Sequence, residues 1–86
     1  MTAQPEPVRV PNPKNVELPA GGSAPMFTRE QVVKVYGCSH GEFGRLLIRK
    51  VAPLPIRIDG AILWFADEVQ KLHPVVDEHL QRWRRR

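Results

Sequence analysis

Cysteine is nearly absent from this chain: Cys38 is the single one among 86 residues. One thiol cannot build an internal disulfide framework. With His40 alone nearby it also falls short of a zinc site, which takes four ligands of this kind. Long apolar runs are missing too. Nothing reads as a secretory leader or a membrane span, so a cytoplasmic protein with no membrane partner is expected. There is no internal repeat, no paired carboxylate set in a plausible pocket, no Ser/His/Asp arrangement, no phosphate-binding glycine loop and no metal cluster. Those absences argue against an enzyme and imply no cofactor.

What is present divides unevenly. Six of the nine prolines, at positions 5, 7, 11, 13, 19 and 25, lie in the first 25 residues, with Gly21, Gly22 and Ser23 near the end. No apolar period runs through this stretch, and such a segment buries too little surface to offset its ordering entropy. The expectation is a disordered Pro-rich tail over 1–25 and a folded domain over 26–86. In the tail Arg9 and Lys14 cancel Glu6 and Glu17, so the whole net charge of +4 falls in the domain. A basic domain suits a polyanionic partner, the plain alternative being solubility alone. A domain of this size is marginal by itself, so dimerisation or a large partner is expected.

Within the domain the signals are local and ordered. Thr28 and Gln31 form a capping box, Phe27 and Val32 a hydrophobic staple, and Gly37 a helix stop; they predict a helix over about 29–36. Ser39 and Glu42 form a second capping box for a helix that should end near Lys50, ahead of Pro53. Its buried face is Phe43, Leu46 and Leu47, with Ile48 at the edge. Ile56 and Ile58 alternate with Arg57. Asp59-Gly60 then predicts a type I′ turn returning along 61–65. Asp67 and Glu68 start a third helix with Val69 and Leu72 inward. Pro74 can open a fourth, on which Val76, Leu80 and Trp83 make one stripe.

The "YGCS" of Tyr36–Ser39, the "FGRLL" of Phe43–Leu47 and the "LPIRIDGAILW" of Leu54–Trp64 followed by "ADEV" occur in one particular order. In that order the chain resembles the excisionase and AlpA-like winged helix-turn-helix DNA-binding proteins of phages and mobile elements, related to the MerR-type winged domain. The likeness covers about Phe27 to Leu72. It implies an α+β, mostly helical fold: two short helices, a β-hairpin wing and one or two C-terminal helices. It also implies duplex DNA as partner, several copies on the DNA, an integrase or other phage protein as companion, and a bacterial host cell. The role would be a recombination directionality factor or a transcription regulator. The small terminase subunit, with a similar DNA-recognition domain, is an alternative; a protein-interaction module on the same fold is another.

On this reading Arg45 is the base-edge candidate, since a guanidinium can bond guanine O6 and N7 together; otherwise it is a solvated or salt-bridged arginine. Arg49 and Lys50 are phosphate candidates, as are Arg57 in the wing and Lys71. His40 can meet phosphate or be an ordinary exposed histidine. Gly41 and Gly44 depart from the family pattern: they remove side-chain readers and let the helix backbone approach another surface closely. Arg82, Arg84, Arg85 and Arg86 can hold phosphates or form a solvated helix end. Trp83 points to packing on the domain or on a partner. Glu42 serves its capping box, Cys38 reads as a small apolar residue in the turn, and Trp64 and Phe65 read as core.

Overall fold

A computed structural model of the chain describes residues 11–85. The elements run β1 (Lys14–Glu17), β2 (Ser23–Phe27), α1 (Arg29–Tyr36), α2 (His40–Ile48), β3 (Ile56–Ile58), β4 (Ala61–Phe65), α3 (Ala66–Lys71) and α4 (His73–Arg84). The four strands form one sheet in the order β1-β2-β4-β3, with every neighbouring pair antiparallel. The fold is a small α+β arrangement of four helices and a four-stranded antiparallel sheet.

The expected tail over 1–25 is corrected here for the part the structure describes. Residues 14–17 and 23–27 are strands, paired from Lys14↔Met26 to Glu17↔Ser23. The reason is tertiary. Met26 and Phe27 are buried and pair with Phe65 and Trp64, which anchors β2 to the second hairpin and gives β1 an edge to join. Pro25 is tolerated because β2 pairs with β4 only from Met26 onward, so one side of Pro25 requires no N–H. The first ten residues of the expected tail lie outside the described residues.

Both short helices start as the sequence predicts. The Thr28 hydroxyl accepts from Gln31 N–H while Gln31 Oε1 accepts from Thr28 N–H at 2.9 Å. Ser39 and Glu42 repeat the arrangement at 3.1 and 2.9 Å. Gly37 adopts φ +63°. Its N–H donates to Lys34 O and that of Cys38 to Val33 O, which closes α1. Asp59 (φ +50°) and Gly60 (φ +83°) make the two-residue turn between β3 and β4, as the Asp-Gly pair demands.

One core joins all the helices to the sheet. It holds Phe27, Val32, Val33, Tyr36, Phe43, Leu46, Trp64, Val69, Val76 and Leu80. Phe43, fully buried at the centre of α2, meets Trp64 edge-on at 5.4 Å; burying such a side chain contributes about 1.5–3 kcal/mol. Trp64 Nε1–H donates to Pro53 O at 2.9 Å and ties β4 to the loop after α2. Tyr36 O–H donates to Val69 O at 2.9 Å and ties α1 to α3. Ile48 does not join the core edge: it is 82% exposed. Two residues past Leu46 on a 3.6-residue turn, it points to the opposite side. Among the described residues, no helix is long and apolar enough to cross a membrane.

Candidate nucleic-acid interface

The outward side of α2 is defined by what its inward side must do. With Phe43 and Leu46 buried, helical spacing turns His40, Gly41, Arg45 and Arg49 to solvent, and all four are exposed. Gly41 and Gly44 are not required by contacts among the described residues. A methyl at Gly41 would come no nearer than 3.9 Å to Ser39 Oγ, and one at Gly44 would lie 4.0 Å from Arg29 Nη2. Both glycines therefore leave a low strip on α2 that the described residues do not fill, and the exposed Ile48, four residues past Gly44, ends it.

Cations line that strip on both sides. At its N-terminal side lies Arg29, which reading the sequence did not single out. Its guanidinium lies 5.0 Å from the Phe43 ring centre, and it donates to His40 Nδ1 at 3.2 Å and His40 O at 3.3 Å. His40 is thus held by Arg29. No local pattern signals this, because the partners are 11 residues apart. On the C-terminal side, the Arg45 and Arg49 guanidiniums lie 5.1 and 5.7 Å from the centre of the Trp83 ring. Trp83 is half-buried and meets His79 edge-on at 6.2 Å. Its packing on the domain, one of the two expectations for it, is what the structure has.

Arg84 is engaged inside the molecule. It donates through Nη2 to Gly37 O at 2.9 Å and to Glu42 Oε1 at 3.0 Å, and through Nε to Glu42 Oε2 at 3.3 Å. The end of α4 is latched in this way onto the turn between α1 and α2. The Arg84 bonds, followed by the Ser39 N–H, hold the Glu42 carboxyl below the ordinary carboxylate range. Arg82 pairs with Glu78 at 2.7 Å along α4. Arg85 is exposed just past the helix, and Arg86 lies outside the described residues.

Lys50 has an unusual backbone for its residue type. It sits at φ +60°, its N–H donating to Leu47 O while that of Val51 donates to Leu46 O. This is the stop used at Gly37, with lysine where glycine is at home. Arg57 is exposed at the centre of β3, and Lys71 is exposed at the end of α3; neither belongs to the Trp83 group. The Cys38 thiol is half-buried, and burial, then the Glu42 charge, pushes its pKa up, away from the reactive thiolate. Among the described residues there is no group of three potential metal ligands. The cleft between the β1–β2 and β3–β4 turns, about 230 Å³, is lined by Glu17, Leu18, Pro19, Ile58 and Asp59. Comparison with family models, curated proteins and solved structures returned no match for this chain.

Proposed function

We propose that this chain is a winged helix-turn-helix protein that binds duplex DNA, with α2 presented to the duplex and the β3–β4 hairpin as the wing, in an excisionase-like or AlpA-like role. The observation that carries the reading is the outward side of α2: a low glycine strip flanked by Arg29, Arg45, Arg49 and Lys50. A helix backbone can come close to a polyanion there, with cations on both sides to meet phosphates. The stacking of Arg45 on Trp83 favours phosphate contact over the guanine edge, because the ring holds the guanidinium back against the protein. Arg84 serves to position α4 rather than to meet DNA.

Binding to random-sequence duplex, measured over a range of salt, tests this reading. The log–log slope should correspond to several phosphates at about 0.9 each. Arg45→Ala should weaken specific and random duplexes alike. Salt-independent or absent binding overturns the proposal. A second reading, a protein-interaction module on the same fold, is favoured by Ile48 and Leu54. These lie at and just beyond the end of α2 and are 82% and 71% exposed; it takes the lead if DNA binding is absent.

A further inference from the structure

We propose that Arg45 and Arg49, stacked together on Trp83, form a single site for one phosphodiester group of the DNA backbone. The proposal rests on the duplex-binding reading above and adds a site to it: one shared phosphate, and a tryptophan as the group that builds the place for it.

The argument begins with a repulsion. Arg45 on α2 and Arg49 at its C-terminal cap are four residues apart, so their side chains leave the same side one turn apart. Like charges at this spacing destabilise a helix. The structure gives the two guanidiniums a common anchor that offsets this: both lie within 6 Å of the centre of one indole ring. A ring face attracts a cation electrostatically, most strongly for tryptophan. The ring is itself fixed by α4, whose Val76 and Leu80 are fully buried, and by the edge-on His79.

The second step is a comparison of partners. Four arginines can be compared directly: Arg45 and Arg49 beside the Trp83 ring, and Arg82 and Arg84 on α4. Arg82 has Glu78 at 2.7 Å and Arg84 has Glu42 at 3.0 Å. Each of those cations is matched by a carboxylate. Among the described residues Arg45 and Arg49 are matched by an aromatic ring, which orients a cation without cancelling its charge. Two full positive charges, both set against one ring and with side-chain freedom already restricted, therefore face solvent. A phosphodiester carries one negative charge and two unbridged oxygens, so each guanidinium can donate to one oxygen. Lys50, next in the chain after Arg49 and fixed at φ +60°, adds a further cation at the same end of α2.

The test is the salt slope of random-duplex binding for a set of variants, each checked by thermal melting. If the two arginines share one phosphate, Arg45→Gln and Arg49→Gln each lower the slope by about 0.9, and the double variant lowers it by no more than either single one. Trp83→Leu, which keeps both charges, lowers it by the same amount, and Trp83→Phe restores most of it. The fluorescence difference between the parent chain and Trp83→Phe should change on adding duplex. Slopes that add to about 1.8 in the double variant mean two separate phosphates and overturn the shared site. An unchanged slope in folded Trp83→Leu removes the ring from it. Should Trp83→Leu fail to fold, the arginine set and Trp83→Phe still decide. A parent chain that shows no salt-dependent binding fails the duplex reading itself, a different outcome from a normal parent slope that these variants leave untouched.

Discussion

The ends of α1 and α2 are built alike and filled differently. Each closes with the same pair of backbone bonds around one left-handed residue: Gly37 at φ +63° for α1, Lys50 at φ +60° for α2. Glycine takes this conformation freely, whereas a side chain there costs about 1 kcal/mol. Both ends are exposed, but at the α1 end Arg84 holds the Gly37 carbonyl at 2.9 Å. The α2 end faces solvent beside Arg49 and carries a cation. The difference teaches that the first stop is chosen for stability. On the duplex-binding reading, the second exchanges some stability for a positive charge beside the proposed phosphate site. Residues held in costly backbone states tend to gather at functional places.

The largest way to break this comparison is Gly37→Ala. Among the described residues no atom beyond its chain neighbours lies within 4 Å of the added methyl, so the cost is conformational. It should be about 1–2 kcal/mol, a fall in melting temperature of roughly 4–8 °C per kcal/mol for a domain this size. An unchanged melting temperature would mean the turn has room to relax. Lys50→Gly should do the reverse, raising stability by about 1 kcal/mol while lowering duplex affinity and the salt slope. A variant that is both more stable and unimpaired in binding would remove Lys50 from the interface. Gly44→Ala comes next: the helix should gain about 0.5–1 kcal/mol, since the methyl makes only an ordinary contact with Arg29. Binding should weaken as the low strip fills.

The smallest effect concerns the latch on the Gly37 end. The Glu42 carboxyl titrates below its ordinary range in the folded chain, first through the Arg84 bonds. Its contribution to stability is therefore complete above the ordinary glutamate value and is lost as pH falls through the lower folded value. Comparing melting temperatures between neutral pH and the acid side of that range should show a smaller loss for Glu42→Gln than for the parent chain. Equal losses would mean that the latch does not couple to pH.

How much of this was legible depends on how local each signal is. Both capping boxes, the Gly37 stop and the Asp59-Gly60 turn are written within four residues of sequence, and the structure has each where the residues place it. The β1–β2 hairpin was not legible, because Lys14–Glu17 holds only Val16 as an apolar residue and takes its strand form from pairing with β2. The Lys50 stop was hidden because lysine does not announce a left-handed turn. At the candidate site, the cations of α2 could be read from helical spacing. The ring that gathers Arg45 and Arg49, the Arg29–His40 contact and the Arg84 latch join residues far apart in the chain. The packing of α4 against α2 brings the ring and the latch into place, and the contact between α1 and α2 brings Arg29 to His40.

The central claim is that the glycine-bearing side of α2 meets duplex DNA, and backbone amide chemical shifts recorded during titration with a short random-sequence duplex at low salt test it most directly. The account predicts the largest changes at Gly41, Gly44, Arg45 and Lys50, smaller ones at Arg57, and none along β1. Changes confined to β1 and β2, or no changes at all while the chain remains folded, would contradict it.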